Sequence, residues 1–420
     1  MSYQILSAQT VIDYLTTLPA MQALFSDFAA LTVEEIGDGN VNFVYRIKDN
    51  NSGQSVILKQ AVPYLRCVGE SFPLSRHRMN IEIMALETAK KYSPAHVPNI
   101  YYSSTEQSVV IMQDLADHAI LRGQLIQGTV FPNFANHIST YMADTLFGTS
   151  DLHMTSEDKK QCVVKFTNTD LCKLSEDFVF THPFEDNANN NYNPKLPQTA
   201  IDKVQKNGAV KVAVSQMRHK FMNNAQALIH GDLHTGSIMT NQTETYVIDP
   251  EFAFYGPMGF DVGAVIGNLY IAYFSHAYLS HASQDSIDYR AWLLDTIEQI
   301  WTQFSDKFTT RWLEHETQSE QLQWQYDNGI DDLKVYINSY LSDLFADTIG
   351  FAACKMMRRV LGIAKVADFA DITDLDARAN IETNIINMAT HMVVNRSKFN
   401  TIDELNALAK ETNTLEKITG

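Results

Sequence analysis

The sequence predicts an α+β chain of two unequal lobes, a small antiparallel-sheet lobe over residues 1–115 and a large, mainly helical lobe over residues 116–420. Three observations predict it. Val41, Phe43, Tyr45 and Ile47 alternate with Asn42, Val44 and Arg46, the two-residue period of a strand. Beyond Ala116 the apolar residues recur at helical spacing almost without interruption. Within that second half, two short acidic loops stand seventeen residues apart (249 − 232), each behind a brief apolar run.

In chain order, Val11, Ile12, Leu15 and Leu18 fall on one face of a short helix that Pro19 ends. Gly37-Asp38-Gly39-Asn40 then opens the strand at Val41, and small residues there let backbone amides approach an anion closely. By itself the segment is ordinary turn chemistry. After the turn Asn50-Asn51-Ser52-Gly53, Val56-Ile57-Leu58-Lys59 supplies a second strand, with Lys59 nineteen residues after Asn40 (59 − 40). Such a lysine is commonly a solvated edge residue. Met79 to Lys91 reads as a helix and Ser108 to Met112 as a third strand, and Gln113-Asp114-Leu115 joins the lobes. Farther on, Glu185 to Pro197 is asparagine-rich and reads as an exposed loop.

The acidic loops carry the chemistry. Ala227-Leu228-Ile229 leads into His230-Gly231-Asp232-Leu233-His234, and Tyr246-Val247-Ile248 leads into Asp249-Pro250-Glu251. With turn-forming Thr240 to Thr243 between them, the two runs are expected to pair as a hairpin that brings its outer ends together. One isolated carboxylate beside an acidic pair is what a kinase-like phosphotransferase needs: Asp232 to accept the proton of an attacking hydroxyl, Asp249 and Glu251 to hold Mg2+. The alternation His230, Asp232, His234 also suits zinc, but no third histidine sits at ligand spacing, so both histidines are read as supports of the loop. In the same arrangement Lys59 points at nucleotide phosphates, oriented by a glutamate of the following helix, Glu82 in preference to Glu87. Asp261 reads as an N-cap of a long helix, or as a brace for the catalytic loop. Arg358 and Arg359 lie in an apolar helix and require anionic or hydroxyl-rich partners: one of them can pair with a protein acid such as Asp343 or Asp347, and the other then faces the site.

Composition narrows the partners. With 32 basic against 49 acidic residues, net −17, nucleic acid and anionic membrane are disfavoured. Cys67, Cys162, Cys172 and Cys354 form no Cys-x-x-Cys pair, no signal core is evident, and no apolar run reaches the roughly 18 residues of a membrane span. The expectation is a soluble cytoplasmic protein with reduced thiols.

The run His230 to Ile238, continuing through Asp249 to Asp261, closely resembles that of bacterial and plant 5-methylthioribose kinases. Gly39-Asn40-Val41-Asn42, the Lys59 strand, Gln113-Asp114-Leu115 and Arg358-Arg359 extend the resemblance over most of the chain. It implies a protein-kinase-like fold, a homodimer, and transfer of the γ-phosphate of ATP to the 1-hydroxyl of 5-methylthioribose in methionine salvage. It also implies nucleotide contacts at Asn40, Lys59, Gln113, Asp114 and Leu115, substrate contacts at Asp232, Arg358 and Arg359, and magnesium at Asp249 and Glu251. Two departures bear on the alternatives. Ser237 stands where aminoglycoside and choline kinases carry a metal-binding asparagine, and Pro250-Glu251 replaces the Phe-Gly that follows the metal aspartate in protein kinases. A related kinase for an aminoglycoside, choline or another sugar would share the catalytic residues but not those two positions. A nucleotide-binding regulator without catalysis is the third reading.

Overall fold

The computed structural model describes residues 3–36, 41–66, 69–279, 288–318, 323–363 and 365–413. Asn40, with Gly37, Asp38 and Gly39, lies outside them, as does Cys67.

The small lobe is built on a five-stranded antiparallel sheet, beside which Tyr64–Leu65 and Gly69–Pro73 pair as a separate two-stranded ribbon. The strands of the sheet are β1 (Leu31–Glu35), β2 (Asn42–Asp49), β3 (Ser55–Ala61), β4 (Ile100–Ser104) and β5 (Val109–Gln113), in the order β1-β2-β3-β5-β4. The turn between β2 and β3 closes as expected, with Gly53 at φ +77° donating its N–H to the carbonyl of Asp49 (2.8 Å). The side-chain alternation of β3 sends Val56 and Leu58 to one face of the sheet. There they bury with Tyr45, Ile47, Val109 and Ile111 against helix α1 (Val11–Thr16) and helix α2 (Pro19–Leu24). The first helix stops at Thr16, short of Leu18, and Pro19 begins the second, where its missing N–H costs no hydrogen bond. The opposite face receives Ala61, Val110 and Met112, covered by Met79, Ile83 and Leu86 of helix α3 (His77–Tyr92). Lys59 faces the same way. Because β3 is the central strand, Lys59 is a buried residue and not a solvated edge.

The remainder is mainly helical, and the chain adopts the two-lobed, protein-kinase-like arrangement expected. Its principal helices are α4 (Phe134–Gly148), α5 (Thr169–Phe180), α6 (Met258–Leu279), α7 (Tyr289–Gln318), α8 (Gly329–Leu361) and α9 (Leu375–Asn395). Helix α6 is buried from Met258 to Ala277, the signature of a helix apolar on every side. Gly259, Gly263 and Gly267 line its contact with α8. A Cβ at Gly263 would stand 2.5 Å from the carbonyl oxygen of Thr348, so only glycine lets the two backbones come this close. No helix among the described residues is long and apolar enough to cross a membrane.

The expected hairpin is corrected. Ala227–Ile229 (β7, the dipeptide Ala119–Ile120 being β6) pairs with β10 (Phe254–Gly256), whereas β9 (Thr245–Val247) pairs with β8 (Ile238–Thr240), which in turn pairs with β6. Strands of three residues carry too little side-chain pattern to specify a partner. The asparagine-rich loop is likewise anchored in part: Asn193 is buried and donates to the carbonyl of Leu375 (2.8 Å).

Candidate active site

β7 delivers the chain into the loop that begins at His230. Gly231 takes φ +81°, and a Cβ there would lie 2.2 Å from the carbonyl oxygen of Phe252, so the loop and the segment after β9 touch at backbone distance. Asp261 lies inside α6 and is not its cap. Its carboxylate accepts the N–H groups of His230 (2.6 Å) and Gly231 (3.1 Å), which makes it the brace of the loop. His230 accepts the N–H of Asp232 at Nδ1 (3.2 Å) and donates from Nε2 to the carbonyl of Ile248 (2.9 Å), tying the two acidic loops together. Ser237 donates from Oγ to the carbonyl of Asp232 (3.0 Å). His234 accepts the N–H of Gly236 at Nδ1 (2.9 Å), so both histidines support the loop, and Ser237 closes it.

Three groups hold the Asp232 carboxylate. Lys355 Nζ lies 3.0 Å and Arg358 Nη1 3.8 Å from Oδ1, and His234 Nε2 lies 3.3 Å from Oδ2. Burial pushes Asp232 up, but Lys355, His234 and Arg358 outweigh it and hold the group well below the usual carboxylate range. Burial drives His234 down to about 4 against the pull of Asp232, so its imidazole is neutral and donates from Nε2.

The second acidic segment begins with Asp249 at φ +67°, a left-handed conformation rare for a residue with a Cβ and doubly unusual before proline. Lys59 Nζ contacts both Asp249 Oδ1 and Glu82 Oε1, the latter at 2.8 Å. Glu87 is exposed on the far side of α3. Burial lowers Lys59, but Asp249, Glu82 and Glu251 together raise it above its ordinary value. Glu251 is buried, accepts from Asn42 Nδ2 (2.9 Å) and lies 3.5 Å from Arg78 Nε. Burial first, then Asp249, pushes Glu251 up against the pull of Lys59 and Arg78. Asn168 fixes this backbone by donating to the carbonyls of Glu251 (2.8 Å) and Ala253 (3.1 Å). Oxygens of Glu82, Asp249 and Glu251 all lie within 4.8 Å of one another.

At the junction of the lobes, the Asp114 carboxylate is taken by Arg46 (2.8 and 3.2 Å) and by Ser55 Oγ (2.7 Å). Gln113 accepts the N–H of Asn99 at its side chain (3.2 Å), and the carbonyl of Leu115 accepts from His118 (2.9 Å). Both polar side chains of this segment, Gln113 and Asp114, are thus engaged inside the protein.

The alternative in which one arginine pairs with Asp343 or Asp347 does not hold. Asp347 takes Lys220 instead, and Asp343 is exposed. All four residues belong to α8, where the eleven residues from Asp347 to Arg358 put about 16 Å of helix rise between them. Arg358 faces Asp232, and Arg359 is buried near Arg122 and Asp368, which pair with each other at 3.2 Å. Lys355, Arg78 and Asn42 are site residues that the sequence reading missed. The signal for two was helical spacing, since Lys355 precedes Arg358 by three residues and Arg78 precedes Glu82 by four. A cavity of about 150 Å³ opens beside Asp232, Glu251 and Arg358, with Leu171, Leu174 and Phe178 of α5 as its apolar wall.

A family model described as a phosphotransferase enzyme family matches residues 32–294. Methylthioribose kinase 1 of Oryza sativa subsp. japonica is 39% identical over 404 residues, covering 95% of this chain and 94% of the relative. A methylthioribose kinase of Bacillus cereus (strain 03BB102) is 37% identical over 414 residues, covering 98% of each. The extent of both matches, together with the braced Asp232 loop, leads to one conclusion: this chain belongs to the phosphotransferase enzyme family and, within it, to the methylthioribose kinases.

Proposed function

We propose that this enzyme transfers the γ-phosphoryl group of ATP to the 1-hydroxyl of 5-methylthioribose, a step of methionine salvage. The observation that carries the reading is the convergence of Asp232, Asp249 and Glu251, with the Lys59–Glu82 pair beside them, at the junction of the lobes. We place that junction at residues 115/116. Asp249 and Glu251 would hold Mg2+: the donors are hard carboxylate oxygens, and a cation, the Lys59 ammonium, is already drawn to Asp249. When bound, the metal neutralises charge on the transferring phosphoryl group.

The protein's own residues supply the rest. Glu82 orients Lys59 toward the nucleotide phosphates, and the main chain of Gln113 to Leu115 meets the adenine. Asn40, which stands just before β2 in the sequence, is assigned a contact to the nucleotide. Asp232 accepts the proton of the 1-hydroxyl as its oxygen bonds to the γ-phosphorus and the bond to ADP breaks. Arg358 and Arg359 bring guanidinium forks to the sugar hydroxyls and the phosphoryl group. The apolar wall at Leu171, Leu174 and Phe178 takes the methylthio group, which an aminoglycoside site would not require. A homodimer in the cytoplasm, free of nucleic acid and membrane, completes the reading and is open to sedimentation analysis.

An ATP-turnover assay with methylthioribose, choline and an aminoglycoside tests the assignment. Turnover dependent on methylthioribose is expected. Turnover with another acceptor alone points to the related kinases, and none with any acceptor points to the non-catalytic regulator.

A further inference from the structure

We propose that Lys355 is a positioning residue for the proton-accepting carboxylate, clamping Asp232 from α8 so that the acceptor hydroxyl meets it in one orientation. The inference rests on the phosphotransfer reading above. Lys355 is only 3% exposed, in a helical stretch otherwise made of Ala352, Ala353, Cys354, Met356 and Met357. Lysine is almost never buried to this degree without a partner, and taking an ammonium out of water is costly even with one. Packing alone would be served as well by another methionine. What the ammonium adds is two directed contacts, Asp232 Oδ1 at 3.0 Å and the face of the Phe260 ring at 4.0 Å.

These contacts fix the carboxylate in a way the arginines do not. Arg358 stands farther from Oδ1, at 3.8 Å, and His234 engages only Oδ2. With Ser237 and His230 already holding the main chain of Asp232, the Lys355 contact removes the remaining freedom of the carboxylate to turn. The anchor point is itself rigid, because the glycine contact between α6 and α8 sets the height of Lys355 against Phe260 and Asp261. The charged and titratable groups that face or act on Asp232 are Lys355, Arg358 and Arg359 from α8 and His234 from its own loop, with Glu251 across the cavity. Burial draws Lys355 down to about 8 while Asp232 pulls it back, so the ammonium is retained at neutral pH.

The test compares Lys355→Met and Lys355→Arg in the full chain, with thermal melts to establish that each is folded. Lys355→Met is expected to lower kcat by about 100-fold, as a misplacement of about 1 Å at a reacting group does, while leaving the KM for ATP near that of the wild type. The acid limb of its pH profile moves to higher pH, and Lys355→Arg recovers much of the loss. A folded Lys355→Met with wild-type kcat, or one whose lost activity leaves the acid limb in place, overturns the proposal. The titration of Asp232, followed by carbon-13 NMR and assigned with Asp232→Asn, needs no acceptor. An upward shift in Lys355→Met supports the clamp even if the wild type fails on methylthioribose, and no shift refutes it even if the wild type turns over.

Discussion

Gly231→Ala is the sharpest probe of how the two acidic loops are held. The residue sits at φ +81°, where an alanine costs about 1–2 kcal/mol because its Cβ crowds the following carbonyl. The larger effect is local. A Cβ would meet the carbonyl oxygen of Phe252 at 2.2 Å and its carbon at 2.7 Å, where ordinary contact begins at 3.4 Å, so one loop must recede by about 1 Å. Gly231 adjoins Asp232 and Phe252 adjoins Glu251, so the proposed base and the proposed metal-holding segment are driven apart. Adding an overpacking cost of about 1–3 kcal/mol gives a total destabilisation of about 2–5 kcal/mol. Displacing reacting groups by this much lowers kcat by about 100-fold. Steady-state ATP turnover with acceptor, measured beside a denaturant melt, reads both effects. A Gly231→Ala protein with wild-type kcat and an unchanged melt would refute the contact and the geometry built on it.

Three further outcomes follow from the site. Asp232→Asn should bind ATP nearly as the wild type does yet lose about 10² to 10⁴ in turnover, the usual contribution of proton acceptance; undiminished turnover in a stopped assay removes it from that role. Lys59→Ala should weaken ATP binding by calorimetry, and because it strands Glu82 in the interior it should also melt earlier; unchanged ATP affinity counts against the phosphate contact. His234 has a folded pKa of about 4 against an ordinary 6.5, so the unfolded chain binds the proton more readily. Its contribution to stability is complete above pH 6.5 and falls, by at most about 3 kcal/mol, as pH drops toward 4. Melts of the wild type and His234→Gln should therefore converge as the pH is lowered through that window; a constant gap contradicts the neutral imidazole.

How much of this was legible in the sequence depended on distance along the chain. The roles expected at Asp232, Asp249 and Glu251 came from two short motifs seventeen residues apart (249 − 232), and Lys59 and Glu82 from the order of strand and helix; the fold gathers them, Lys59 and Glu82 beside Asp249 and Glu251, and Asp232 across one cavity from Glu251. β1 and β4 escaped notice because Leu-Thr-Val-Glu-Glu and Ile-Tyr-Tyr-Ser-Ser lack a clean apolar alternation. The pairing of β7 with β10 was illegible because it is decided by packing around Gly231 and Phe252, not by the three-residue strands. Lys355 was hidden for another reason. Its partner Asp232 is 123 residues away, and only the approach of α8 to α6 across the glycines brings them together. The asparagine loop read as exposed because composition cannot reveal that Asn193 turns inward to Leu375.

Two clusters among the described residues present metal-binding side chains within 4.8 Å of one another: Glu82, Asp249 and Glu251 in the cleft, and Asp117, His118 and Glu244 outside it. Crystals grown with Mn2+ and a non-hydrolysable ATP analogue separate them by the anomalous signal of manganese. A peak bound by Asp249 and Glu251, with the terminal phosphate toward Asp232, is the outcome predicted here. Manganese at the other cluster alone, or a nucleotide whose terminal phosphate lies away from Asp232, would contradict the account.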